Sequence, residues 1–152
     1  MVTSPSLWVT ADRAAIETRI KALRADSRAQ WGKMSVAQML LHCQQPLRVA
    51  IGQLRLKHGL IGKLFGKMAK KKLMAEKPWG KNMPTAPEFK VTKSVEFESE
   101  RRALLDLVRR FGEGGASSLT PLPHPFFGPL TPDEWSALQW RHLDHHLRQF
   151  GV

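Results

Sequence analysis

Apolar positions recur along this chain at intervals of three and four, and the pattern resolves into four main helices and one shorter one. The first is expected from about Ala11 to Ala25, capped by Thr10, with Asp12 at its positive end and Ile16, Ile20 and Leu23 as its stripe. Ser27 to Lys33 reads as a connector, with Trp31 and Gly32 packing over one end of the helices. The second helix opens on a capping box, Ser35 with Gln38, and runs from Val36 to about Leu56. Val36, Leu40, Cys43, Leu47, Ile51 and Leu54 fall within about 80° of arc, and Met39, His42, Pro46 and Ala50 widen that arc on one side. A helix so broadly apolar belongs at the centre of the fold. Pro46 deprives the His42 carbonyl of its helical hydrogen bond, so a bend is expected beside an inward histidine.

Leu60, Ile61, Leu64, Phe65 and Met68 share one face of a short amphipathic helix, with lysines elsewhere around it. From Lys77 to Val91 the periodicity dissolves among Pro78, Gly80, Pro84 and Pro87, a loop long enough to cross the helices or line a site. A third main helix is expected from Phe97 to Phe111, with Phe97, Leu104, Val108 and Phe111 inward and Gly112 at its end. After a flexible Gly114–Ser118 stretch, the proline- and aromatic-rich segment Pro121–Pro129 leads into the last helix. That helix has Thr131 and Glu134 as a capping box, Pro132 at its first position and Gly151 as its stop. No alternating strand pattern, repeat or linker interrupts the chain, which argues for one all-α domain over residues 1–152.

Composition narrows the class. With 42% hydrophobic residues the chain should fold as a globule, and a single cysteine fits a reducing compartment. The first residues lack a basic stretch followed by an apolar run, and no segment approaches membrane-spanning length, so a cytoplasmic protein is expected. Net charge is +11, from 24 basic and 13 acidic residues, and it is concentrated. Residues 55–81 carry nine Lys and Arg against Glu76 alone. Such a face invites nucleic acid or an anionic membrane, although it lacks interleaved surface aromatics, and a solvated basic face is the plainer reading.

Candidate chemistry sits on the last helix. At 100° per residue Trp135, Leu138, Gln139, His142, His146 and Phe150 form one face, while Arg141, Asp144 and Arg148 lie opposite, towards solvent or in pairs with one another. Two histidines one turn apart therefore point where the core should be, and buried imidazoles need partners. His142 and His146 have the spacing that lets two imidazoles hold one metal, and His42 is a third inward histidine on another central helix. Three neutral nitrogens leave an open coordination position for water, as catalytic sites do. Zn, Ni, Fe and Cu all suit such a set. His145 competes for the place of His146 but lies nearer the edge of the face. Cys43 points about 100° away from His42 and reads as a small buried hydrophobe. Met39, Trp135, Phe126 and Phe127 are the candidates to wall an apolar pocket.

The segments Trp31-Gly32-Lys33-Met34-Ser35-Val36-Ala37-Gln38-Met39-Leu40-Leu41-His42, Pro84-Thr85-Ala86-Pro87 and His124-Pro125-Phe126-Phe127-Gly128 resemble a bacterial branch of the DinB/YfiT-like superfamily of uncharacterised proteins. The closing Trp140-Arg141-His142-Leu143-Asp144-His145-His146-Leu147-Arg148-Gln149-Phe150-Gly151 resembles it most. The resemblance implies a four-helix bundle with a long crossover after the second helix. It implies a metal held by His42, His142 and His146, since metal-binding relatives use one histidine from helix two and an HxxxH pair from the last helix. Some members of that superfamily are metal-dependent thiol transferases or isomerases, and related bundles often dimerise. The leading expectation is thus an enzyme acting on a small, thiol-type molecule. The competing one is a non-catalytic binding module, without metal, that presents its basic 55–81 face to an anionic partner.

Overall fold

The computed structural model describes residues 4–57 and 60–152, with side chains described for 4–57 and 66–152. Its elements are α1 (Thr10–Ala22), α2 (Val36–Ala50), α3 (Leu60–Met74), α4 (Phe97–Gly114) and α5 (Pro132–Gln149), with short 3₁₀ turns at Pro87–Phe89 and Gly115–Ser118. Among the described residues there is no strand, only an isolated bridge between His124 and Gly128. No described helix is long and apolar enough to cross a membrane.

Four helices close a ring around the core. α1 and α2 each pack against both α4 and α5, and α3 lies on α5. Leu7, Ile16, Ile20, Leu40, Leu47, Leu104, Val108, Phe111, Leu143 and Leu147 fill the interior. α2 buries eleven of its fifteen residues, as its broad apolar arc predicts, and this central position takes His42 inside. Between α2 and α4 the chain crosses over through α3 and the 3₁₀ turn that buries Phe89.

Local chemistry sets the ends. Both predicted capping boxes are present: Ser35 with Gln38 on α2, and Thr131 with Glu134 on α5. α4 is capped by Glu96, whose carboxylate accepts from the Glu98 and Ser99 amides. α2 stops at Ala50 rather than Leu56. Gly52 takes φ +74°, Gln53 N–H bonds to the Arg48 carbonyl and Gly52 N–H to that of Val49. That is a Schellman ending, and Thr120 N–H satisfies the Ala50 carbonyl beyond it. The same motif ends α5 at Gly151.

Other expectations need correction. Thr10 is already helical and caps nothing, and Val9 is the N-cap; Asp12 lies in the first turn as expected and also accepts from the Ser6 amide. α1 ends three residues early, because Leu23 turns extended to bury its side chain. Gly112 lies inside α4 rather than past its end, where its missing side chain admits Arg13. Asp144 makes the expected pair with Arg148 at 3.0 Å but does not face solvent: it is largely buried and also pairs with Arg19 at 2.8 Å. Met68 is exposed instead of packed, and the side chains of Leu60, Ile61, Leu64 and Phe65, which complete the predicted apolar face, lie outside the described residues.

Because Thr131 caps α5 and Thr10 caps nothing, alanine at the two positions should separate them. Thr131→Ala is expected to cost about 1 kcal/mol of unfolding free energy and Thr10→Ala a few tenths at most, measured by urea denaturation.

A candidate three-histidine metal centre

α2 and α5 bring His42, His142 and His146 together. His42 Nε2 lies 3.0 Å from His142 Nε2 and 3.0 Å from His146 Nε2. The three possible ligand atoms all fall within 4.8 Å of one another. His42 and His146 are buried and His142 is partly so.

Protonation at this cluster follows from its neighbours. His42 Nδ1 is 2.8 Å from the Phe89 carbonyl, which can only accept, so Nδ1 carries the proton and Nε2 presents a lone pair. His146 Nδ1 is 2.7 Å from Gln149 Oε1. The orientation of that amide is itself fixed, because Gln149 Nε2 donates to the Trp31 carbonyl at 2.8 Å. His146 Nδ1 is therefore protonated too, and its Nε2 also presents a lone pair. Two lone pairs thus face each other across 3.0 Å with no proton from either neutral ring between them.

Making one ring cationic is disfavoured. Burial pushes His146 down to about 3, helped by His42 and opposed by its bond to Gln149. Burial lowers His42 against the opposing Phe89 hydrogen bond, and it lowers His142 well below the ordinary range, together with repulsion from His146, His42 and His145. Convergent, neutral, proton-free nitrogens are what a transition metal requires of its imidazole ligands. Two nitrogens about 2.0–2.1 Å from a tetrahedral zinc stand about 3.3 Å apart, within a few tenths of the two spacings that His42 makes. The donor set fits a divalent metal, and Phe89 and Gln149 supply the outer hydrogen bonds that such ligands normally have.

Gln149 reaches its place through the Trp31–Gly32 connector. Gly32 has φ +81°, and a Cβ there would fall 2.6 Å from Gln149 Nε2, so only glycine allows both the backbone turn and the approach. Gln30 N–H binds the Gln149 carbonyl and completes the clasp. The connector packs over an end of the helices, as predicted, and that contact orients a histidine.

A cavity of about 170 Å³ adjoins the histidines. Phe126 and Phe127 stand on its wall, with Pro46, Leu73, Met83 and Leu138, and the Pro84–Ala86 stretch closes one side. Met39 and Trp135, expected on that wall, are in the core instead: Met39 packs on Cys43 at 3.6 Å and Trp135 lies behind His124 at 5.1 Å between rings. Cys43 is buried, and burial pushes its thiol up, so it is neither ligand nor nucleophile. His124 accepts the Phe126 and Phe127 amides on Nδ1, which shapes the aromatic loop. His145 borders the cavity without joining the cluster, lying between Trp31 and Trp79.

Four contributors were not singled out as site residues from the sequence: the Phe89 carbonyl, Gln149, Gln139 and Trp79. Trp79 sits in the proline- and glycine-rich loop, is pinned by its indole N–H to the Leu73 carbonyl, and leans on His142 and His145. Trp79 and His145 also border a second, larger cavity of about 620 Å³. In the basic segment Lys70 is paired with Glu134 at 2.8 Å and Lys81 lies over the Trp31 ring, while Lys67, Lys71, Lys72 and Lys77 are exposed.

A sequence family described as "Protein of unknown function (DUF1569)" matches residues 2–151, and the chain belongs to that family. No curated protein and no solved structure matches the chain.

The lowered histidines fix the sign of a pH effect. In the unfolded chain each titrates near about 6.5, so between there and the folded value the unfolded state binds protons that the metal-free folded state does not. The contribution of His146 is complete above about pH 6.5 and is lost as pH falls towards 3, and His42 and His142 act in the same direction. Urea denaturation of metal-free protein between pH 7 and 4 should show stability falling with pH, with a slope approaching about 1.4 kcal/mol per pH unit from His146, and a flatter profile in His146→Gln. A stability independent of pH over that interval contradicts the assignment.

Proposed function

We propose that this member of the family is a DinB-like helical metalloprotein that binds one divalent transition metal, Zn, Ni or Fe, through His42, His142 and His146. The observation that carries the reading is the pair of Nδ1-protonated imidazoles whose Nε2 lone pairs meet at 3.0 Å. The adjoining cavity is the place for a small-molecule substrate, and transfer or hydrolysis of a thiol-type molecule is the reaction class we assign. A divalent metal at three imidazoles supplies Lewis acidity and lowers the pKa of a water or thiol bound beside them.

The chain's own residues prepare that chemistry. The Phe89 carbonyl and Gln149 hold two imidazoles in the ligating tautomer and in fixed orientation. Leu73, Phe126, Phe127 and Leu138 present apolar surface to a substrate in the cavity. Among the described residues no carboxylate lines this cavity, and Glu134 and Asp144 are engaged in a cap and in ion pairs, so these residues supply no acidic general base. The rival use of the basic segment for an anionic partner is weakened by Lys70 and Lys81, which are already engaged within the chain.

Elemental analysis of untagged protein, after exposure to Zn²⁺, Ni²⁺ or Fe²⁺ and removal of excess, should find about one metal per chain. His42→Ala and His146→Ala should lose it. Gln149→Leu should keep the fold and weaken metal affinity about 10–100-fold. Wild-type protein that retains none of the three metals would overturn the reading.

A further inference from the structure

Gln139 is the residue of this cavity that the metal reading leaves unexplained. It lies on α5, three residues before His142 and seven before His146, and so on the same helical face. It is 1% exposed, lines the cavity, and its side-chain nitrogen has no hydrogen-bond partner among the described residues. Leaving a buried amide N–H unpaired carries a free-energy cost that an apolar side chain of similar size would avoid. Native proteins leave few such groups, and a ligand is one of the recognised reasons when they do.

Two further features narrow the ligand. The volume of about 170 Å³ is close to that of apolar cavities, about 150 Å³, that accept a single benzene ring. The rest of the wall combines apolar surface from Pro46, Leu73, Phe126, Phe127 and Leu138 with Thr85, His124, His145 and the three clustered histidines. Gln139 thus adds an amide donor, on the helical face of His142 and His146, to a mainly apolar, ring-sized space.

We propose that the cavity binds a compact, mainly apolar molecule about the size of one aromatic ring, carrying an oxygen acceptor. Gln139 Nε2–H donates to that oxygen and fixes which end of the molecule lies against the histidines. Gln139 is therefore a positioning residue that selects substrates bearing the acceptor over isosteres that lack it. A site built to hydrogen-bond a substrate group rejects the analogue without it far more strongly than an apolar site does. The inference rests on reading this cavity as a ligand site, but it does not require the metal.

Phenol and toluene have nearly the same shape and differ in the oxygen, so they are the probes. Calorimetric titrations of both into metal-free and Zn²⁺-treated protein should show wild type preferring phenol, with the Gln139 side-chain amide proton shifting in NMR for phenol and not for toluene. In Gln139→Leu and Gln139→Met, checked for fold by circular dichroism, the preference should fall at least tenfold while toluene binding holds or tightens. Binding of neither probe, equal binding of both by wild type, or a preference unchanged in both variants overturns the proposal. Metal content of the same samples is read separately. Protein that holds no metal yet shows the Gln139-dependent preference refutes the metal reading alone.

Discussion

Two hydrogen bonds govern this molecule: His42 Nδ1–H to the Phe89 carbonyl, and His146 Nδ1–H to Gln149 Oε1. Each removes one ring nitrogen from consideration and leaves the other as a bare lone pair directed at its neighbour. Without them the three histidines are a polar cluster able to settle by passing protons among themselves. With them, the cluster lacks protons where two of its members meet. Much of the surrounding structure serves this arrangement. The 3₁₀ turn delivers the Phe89 carbonyl from the crossover, and Gly32 lets the Trp31 carbonyl fix the Gln149 amide.

The cost of holding polar groups in this way is affordable because the fold is well packed elsewhere. An unpaired buried donor such as Gln139 Nε2 costs about 1–3 kcal/mol. A fully buried leucine contributes about 1.5–3 kcal/mol, and Leu40, Leu47, Leu104, Leu143 and Leu147 are all buried around the histidine-bearing helices. One such leucine offsets one such donor. The stability of the ring of helices is therefore compatible with a site that is poorly satisfied on its own, and a poorly satisfied polar site is one poised for ligands.

Much of this was legible in the sequence, for identifiable reasons. His142 and His146 announce themselves because a period of 3.6 puts both on an apolar face, and His42 does so because it interrupts the broadest apolar arc in the chain. Their partners are harder to read. The Phe89 carbonyl is a backbone group 47 residues from His42, and no side-chain pattern marks it. Gln149 stands three residues after His146 and was within reach of a helical argument, but its orientation depends on Trp31, 118 residues away. The end of α2 is hidden in the sequence because Ile51 and Leu54, on either side of the Gly52 that ends the helix, keep the apolar rhythm and still pack on the core. Helical spacing does indicate the pair that Asp144 makes with Arg148, but nothing local reveals that Arg19 of α1 also comes to meet it.

The central claim is a statement about protons on imidazole nitrogens, and long-range ¹H–¹⁵N correlation NMR of the histidine rings observes it directly. In metal-free protein at neutral pH, His42 and His146 should be neutral rings protonated on Nδ1, with Nε2 unprotonated. One equivalent of Zn²⁺ should then move the Nε2 resonances of His42, His142 and His146 together, with saturation at one metal per chain. Protonation of Nε2 in either His42 or His146, or three rings indifferent to Zn²⁺, would contradict it.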